Sequence, residues 1–178
     1  MTLDSLDSRD STDSTVRDLL DKDASLKFEV IGDGIYQIDG FGTYGHWTCL
    51  VEVADSSVKI FSYFPVEVND GNVSKMYEFI CRNNARFGNG FIATYPGTSL
   101  VWFRTSAHST NGYIPEDIVY TAINDNLTTT DLLLPAVVYV CEEPQACVAK
   151  AMKMVEYCMT EYIARSISNQ SEDPVIVV

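Results

Sequence analysis

The stretch from Asn83 to Phe103 constrains the fold more than any other part of the chain. It starts at the end of an amphipathic pattern, passes through Gly88-Asn89-Gly90, and continues into two aromatic and apolar runs, Phe91–Tyr95 and Leu100–Phe103. Glycine commonly ends a helix in a left-handed cap, and short β-branched or aromatic runs separated by turn residues are typical of hairpins. The stretch therefore predicts a helix followed by an aromatic β-hairpin, and it contains no catalytic chemistry.

Four further runs before this stretch are typical of β-strands. Phe28–Ile31 and Ile35–Ile38 flank the turn Gly32-Asp33-Gly34, while Trp47–Val53 and Val58–Phe64 flank a short polar connection. Turn glycines between β-branched and aromatic residues favour antiparallel hairpins. Counted as a meander of three or four strands, these runs predict, together with the aromatic hairpin, an antiparallel sheet of about five strands.

Helical periodicity appears in four places. The predicted helices are a short one over Thr15–Asp23, one over Asn72–Arg86, one from Pro115 to about Asn126 with a second piece through Leu132–Leu134 before Pro135, and a last one opened by Pro144. The last helix has a predicted buried stripe made of Val148, Met152, Val155, Met159, Tyr162 and Ile163. Helices and an antiparallel sheet in this order predict an α+β fold.

Charge and length suggest one acidic domain. The 178 residues carry 12 Lys and Arg against 25 Asp and Glu, a formal net charge of −13. Such a balance repels phosphate backbones, so a nucleic-acid partner is not expected. We predict a disordered acidic segment over 1–13, a single domain over 14–166, and a tail over 167–178 that is either disordered or an extra strand. No apolar run is long enough to span a bilayer and the first residues show no secretion signal, so we expect no membrane partner and a cytoplasmic protein.

Metal, cofactor and catalytic sites are not expected. The chain has five cysteines without a C-x-x-C spacing, and their apolar surroundings favour buried reduced thiols. His46 and His108 each lack a second ligand at metal-binding spacing. The run Ser106–Ser109 places serines beside His108, but neighbouring side chains on a flexible loop rarely converge, and the glycine-rich run Gly40–Gly45 favours a mobile hairpin loop over a phosphate cradle.

Aromatic residues are the best candidates for a functional surface. A sheet covered by helices on one side leaves alternate side chains on the other side, and a large uncovered apolar area usually marks a binding site. The candidate partner-binding or dimer-binding residues are Phe61, Tyr63, Phe64, Trp102 and Phe103. It is an equal alternative that the C-terminal helix or tail simply covers this surface.

The order of elements resembles the YbjN-type family of proposed sensory-transduction regulators, whose fold is similar to that of the class I type III secretion chaperones. The residues that carry the resemblance are Arg82-Asn83-Asn84, Gly88-Asn89-Gly90-Phe91, Val101-Trp102-Phe103-Arg104 and Leu132-Leu133-Leu134-Pro135-Ala136. The resemblance spans residues 14 to 160 and departs from the family in the loop from Ser106 to Tyr113. It implies a homodimeric binding module without catalytic residues.

Two functions follow from these observations. The first is a non-enzymatic, chaperone-like or regulatory module that holds a protein or peptide client on its sheet face or on an unpaired edge strand. The second is a small-ligand sensor or an unrecognised enzyme with a pocket near Tyr44, His46 and Trp47. A structural subunit of a larger assembly is a third alternative.

Overall fold

The computed structural model describes residues 3–95, 97–109 and 113–170. Its elements, in chain order, are α1 (Leu3–Lys22), β1 (Phe28–Gly32), β2 (Ile35–Phe41), β3 (His46–Ala54), β4 (Ser57–Glu67), α2 (Val73–Asn84), β5 (Phe91–Thr94), β6 (Leu100–His108), α3 (Glu116–Glu142) and α4 (Val148–Gln170). The strands form one antiparallel sheet in the order β1-β2-β3-β4-β6-β5. The predicted α+β class is confirmed, with six strands where the sequence indicated about five.

The helices cover one face of the sheet. Alternate residues of the central strands, such as Val51, Ile60 and Phe103, are fully buried beneath them. Helix α3 lies across β4 and β6 and also contacts α4, while α2 packs against α4 and the edge strand β5. The core therefore lies between this inner face of the sheet and a layer built around α3.

Helix α3 is one helix of 27 residues that continues through Pro135, although the sequence predicted a helix to about Asn126 and a second piece that ends before Pro135. Proline removes one main-chain hydrogen bond and normally breaks a helix at a cost of about 3 kcal/mol. Here Leu133, Ala136 and Val137 on both sides of Pro135 are fully buried against the rest of the core. Tertiary burial offsets the local cost, so the predicted break is wrong.

The N-terminal helix is also longer than predicted. Helix α1 begins at Leu3, so most of the segment 1–13 that the sequence predicts to be disordered is helical. Thr12 is buried, Asp13 accepts a hydrogen bond from the Tyr36 hydroxyl at 2.8 Å, and Arg9 pairs with Asp33 at 3.1 Å. These contacts with the β1–β2 hairpin stabilise the polar first half of α1, whereas the second half buries Val16, Leu19 and Leu20 in the core.

The end of the chain differs from the prediction in two respects. Helix α4 continues through Gln170, past the predicted domain end at residue 166, and residues 171–178 of the predicted tail lie outside the described part of the chain. Val148, Met152 and Val155 are buried as predicted, but Tyr162 and Ile163 are exposed. In the described ranges, no helix combines the length and the apolar character needed to cross a membrane.

The glycine-rich turn after β2 is hydrogen-bonded to helix α3. The Asp131 carboxylate accepts hydrogen bonds from the main-chain N–H groups of Thr43 at 2.9 Å and Tyr44 at 2.8 Å. A Cβ atom on Gly42 would lie only 2.3 Å from the Asp131 Cγ atom, which explains the glycine. The run is a turn between β2 and β3, as predicted, and the Asp131 carboxylate occupies the main-chain N–H groups that a phosphate cradle would need.

We expect Asp131→Ala to lower the free energy of unfolding by about 1–2 kcal/mol, because two main-chain N–H groups lose a charged acceptor. Urea unfolding measures the loss, and hydrogen exchange at Thr43 and Tyr44 should become faster. Asp125→Ala, on the same helix, is the matched control because the Asp125 side chain forms no hydrogen bond or ion pair among the described residues. Equal stability of the two variants would contradict this anchoring role.

Candidate protein-binding face

The outer face of the sheet, opposite the helices, divides into a polar half and an aromatic half. On β1, β2 and β3 it carries mainly polar side chains, among them Glu29, Gln37, Asp39, Thr48 and Glu52, with Phe41 as a 74% exposed aromatic residue at the end of β2. On β4, β6 and β5 the outward positions carry a cluster that we call the aromatic patch: Phe61, Tyr63, Phe91, Tyr95, Trp102 and Arg104.

Trp102 lies at the centre of the aromatic patch. Its ring centroid is 5.6 Å from that of Phe61, 5.4 Å from that of Phe91 and 5.5 Å from that of Tyr95. These neighbours leave only 7% of Trp102 exposed, whereas Phe91 and Tyr95 are 39% and 48% exposed. The surface offered to solvent is therefore a layer of rings over a tightly enclosed tryptophan.

Arg104 places a cation inside this layer. Its guanidinium carbon lies 5.4 Å from the Phe61 ring centroid and 5.7 Å from that of Phe91, within the range of cation–π contact. Its Nε atom is buried without a hydrogen-bond partner, and Arg104 forms no ion pair with any described residue. The aromatic patch thus presents apolar rings together with a positive charge that has no counter-ion in the described part of the chain.

The predicted surface residues divide between the two faces. Phe61, Tyr63 and Trp102 belong to the outer face, but Phe64 and Phe103 are buried on the inner face. The reason is the two-residue period of a strand, since Phe64 follows Tyr63 and Phe103 follows Trp102. The sequence reading also missed Phe91, Tyr95 and Arg104, although their alternation with the buried Ile92 and Phe103 was the available signal.

The predicted pocket near Tyr44, His46 and Trp47 is not one site. His46 and Trp47 border an open depression of about 480 Å³ at the end of the sheet, with Tyr63 nearby. Tyr44 instead faces α4, where a hydrogen bond with the Cys158 thiol and burial raise its pKa to about 12. A hydroxyl with that pKa stays protonated at neutral pH, and the three side chains do not converge on a common substrate position.

Ser106 and His108 do converge, contrary to the sequence expectation. Strand β6 extends to His108, so the two side chains share one face, and the Ser106 Oγ atom lies 3.0 Å from the His108 Nε2 atom. A nucleophilic serine also needs a group that orients the imidazole from its other nitrogen. Among the described residues no such group contacts His108, whose side chain is exposed.

The loop predicted after Ser106 is described except for residues 110–112.

The cysteines are free but not uniformly buried. Cys49, Cys141 and Cys158 are buried, as expected, whereas Cys81 and Cys147 are exposed because they lie on the solvent side of α2 and before α4. Burial raises the pKa of the Cys49 thiol to about 12, which leaves it protonated and unreactive at neutral pH. Within the described ranges, no three His, Cys, Asp or Glu side chains are grouped as metal ligands.

Comparison with known proteins identifies the fold. No protein-family model matches the chain, and no curated protein matches it. Among solved structures, the chain is similar to YbjN from E. coli, for which a role as a transcription regulator is suggested. The match has 13% sequence identity and a TM-score of 0.52, and it covers 68% of this chain and 87% of YbjN. The resemblance stated from the sequence is confirmed at this level: the chain has a YbjN-like fold.

Proposed function

We propose that this protein is a non-enzymatic, chaperone-like or regulatory module that acts as a homodimer and binds a protein segment on the aromatic patch. The observation that carries the proposal is the combination of exposed rings with the unpaired Arg104 on a sheet face that the described helices leave open. Contiguous apolar surface of this kind usually marks an interaction site in a water-soluble domain. The fold shared with YbjN supports a binding or regulatory role.

The chemistry of the aromatic patch indicates the kind of segment it would hold. Aromatic residues and arginine are enriched at protein interfaces, and rings with an arginine among them can contact apolar side chains and a carboxylate together. An extended segment presents alternate side chains on one side, so several of them can contact the same surface. We therefore expect a client with large apolar residues at alternate positions and an acidic residue opposite Arg104.

A cytoplasmic location is part of the proposal. All five cysteines are free, and two of them are exposed. Free thiols persist in reducing compartments and are oxidised in secretory ones. This pattern supports a reducing environment for the protein.

A random-peptide phage library panned on the immobilised full-length chain tests the proposed specificity. We expect wild type to select peptides with alternating apolar residues and at least one Asp or Glu, because those groups fit the rings and Arg104. Arg104→Gln should still select apolar peptides but lose the acidic preference. The double variant Phe91→Ser with Tyr95→Ser should lose selection altogether, since it removes the most exposed rings.

The control is Tyr157→Ser, which removes a ring from helix α4, away from the sheet, that is 64% exposed and thus more exposed than Phe91 or Tyr95. It should select the same peptides as wild type. Circular dichroism and thermal unfolding should show that all variants are folded. Recovery of the same peptides by the Phe91 and Tyr95 double variant would contradict binding at the aromatic patch.

A further inference from the structure

The two edges of the sheet are not equivalent. At the β5 edge, the Asn84 side chain acts in place of a neighbouring strand: its Nδ2 atom donates to the Ile92 carbonyl at 2.9 Å, and its Oδ1 atom accepts from the Ile92 N–H at 2.8 Å. The main-chain N–H and C=O groups of Ile92, which point away from the sheet, are thereby both hydrogen-bonded. This edge is closed by a residue of helix α2.

The β1 edge has no such cover among the described residues. The Asp39 N–H donates to the Lys27 carbonyl at 3.1 Å, which shows that odd-numbered residues of this segment direct their main-chain groups toward β2. Because these directions alternate along a strand, Phe28 and Val30 direct theirs away from the sheet. Val30 and Ile31 are also 53% and 51% exposed, so the edge is both open and apolar. Natural sheets usually protect such edges.

We propose that β1 pairs with β1 of a second copy of this chain, antiparallel, with Phe28 opposite Phe28 of the second copy. The inference rests on the homodimer in the proposed function and names its interface. Two symmetric bonds would join the two Phe28 residues, and two more would run from each Val30 N–H to the other Leu26 carbonyl. The Leu26 N–H is already used, since it donates to the Asp23 carbonyl at 3.0 Å.

Charge selects this register. With Phe28 at the centre, Lys27 of each copy lies opposite Glu29 of the other, and both side chains project on the outer face. Neither Lys27 nor Glu29 has an ion-pair partner among the described residues of its own chain. Moving the register by one pairing position, so that Phe28 faces Val30, would instead place Glu29 directly opposite Glu29. Opposite charges across a strand pair stabilise it and like charges destabilise it.

The alternative centred on Val30 is disfavoured for a different reason. The β1–β2 pairing shifts between Val30 and Gly32, so the backbone there is bulged. A bulge leaves an extra residue unpaired and twists the strand away from a new neighbour. The open, regular part of the edge is therefore the part around Phe28, where Lys27 of each copy would face Glu29 of the other.

Such a dimer would keep the client sites separate. Joining the β1 strands creates a continuous sheet of twelve strands. In each copy, four strands lie between β6 and the dimer axis. With strands about 4.8 Å apart, the two Trp102 residues would lie roughly 40 Å from each other. The dimer would then be bivalent, and neither aromatic patch would be covered by dimer formation.

Charge reversal tests the interface on the full-length protein. We expect wild type to be dimeric by sedimentation equilibrium under reducing conditions, and Lys27→Glu or Glu29→Lys alone to raise the dimer dissociation constant by roughly tenfold or more, since each change turns two attractive pairs into two repulsive ones. The double variant, Lys27→Glu with Glu29→Lys, should restore wild-type affinity because the pairs re-form with reversed sign. Lys153→Glu, an exposed charge reversal on α4, should leave the constant unchanged.

Three results would overturn the interface. These are a monomeric wild type, a dimer that both single variants leave intact, and a double variant no better than the singles. A dimer that dissociates in the Phe91 and Tyr95 double variant would instead place the contact on the aromatic patch. Peptide selection measured on the same samples separates this failure from failure of the client-binding proposal, because a monomer with an intact aromatic patch should still select peptides.

Discussion

Asn126→Asp should lower the free energy of unfolding by about 4 kcal/mol at neutral pH, because it places an uncompensated carboxylate in the core. Asn126 is completely buried on α3 beneath the centre of the sheet. Its Oδ1 atom accepts a hydrogen bond from the Ser62 hydroxyl at 2.6 Å, and its Nδ2 atom donates to the Ile60 carbonyl at 3.1 Å. An aspartate would replace that donor by an oxygen that faces the Ile60 carbonyl.

The loss should depend on pH in a defined direction. A buried carboxyl has a folded-state pKa above its unfolded value, so the destabilisation is largest above the folded-state pKa and is recovered as the pH falls toward the unfolded value of about 3.9. Urea unfolding at several pH values should therefore show the gap between Asn126→Asp and wild type narrowing in acid. Asn124→Asp, two residues away and exposed, is the control and should change little. A gap that widens in acid would contradict a buried carboxylate.

If Asn126→Asp does not fold, Asn126→Ala tests the contribution of the buried hydrogen bonds at a smaller loss of stability. It removes the acceptor of the Ser62 hydroxyl without adding a charge, and we expect a loss of about 2–3 kcal/mol. This loss should be nearly independent of pH. A pH-dependent loss in Asn126→Ala would show that some other ionisable group responds to the substitution.

Asn126 also shows where sequence reasoning stops. It falls on the apolar stripe of α3, between Ile123 and Leu133, together with the buried Thr130. Two polar residues and Pro135 interrupt the hydrophobic period, so the pattern indicates two short helices. The sheet supplies the partners of Asn126, which are Ser62 and Ile60. It also bonds α3 through the Thr105 hydroxyl, which donates to the Ala122 carbonyl at 2.8 Å, whereas the buried Thr130 hydroxyl has no hydrogen-bond partner among the described residues. Such long-range hydrogen bonds leave no periodic signal.

The sheet itself was more predictable than the site. Alternation of β-branched and aromatic residues predicts the strands because that pattern is local, and it correctly implies that Phe61 and Phe64 point to different faces. Which of the two faces the helices cover depends on packing between distant segments. Alternation alone therefore does not say whether Phe64 and Phe103 or Tyr63 and Trp102 are the buried set. The closed β5 edge depends in the same way on Asn84, whose contact with Ile92 joins a helix and a strand across a turn.

The second large effect is the loss of stability expected when Phe103, a core residue of β6, is truncated. Phe103 is fully buried, its ring centroid lies 5.3 Å from that of Phe87, and it pairs with Ile92 of β5. We expect Phe103→Ala to lower the free energy of unfolding by about 3–5 kcal/mol, through lost burial and the cavity that remains. Phe103→Leu keeps most of the volume and should cost about 1.5 kcal/mol or less, which provides a folded variant.

Phe91→Ser is the opposite case, because Phe91 precedes Ile92 and its ring lies on the outer face. We expect it to change stability little and to weaken capture of the selected peptides, whereas Phe103→Leu should lose stability and keep the wild-type peptide affinity per folded molecule. Urea unfolding and fluorescence titration of one selected peptide measure the two quantities on the same samples. If Phe103→Leu weakens peptide binding while Phe91→Ser does not, the client contacts the helix-covered side and the proposed face is wrong. The inner and outer faces differ by a single residue step along the strand, so this pair of variants tests the assignment of function to the outer face directly.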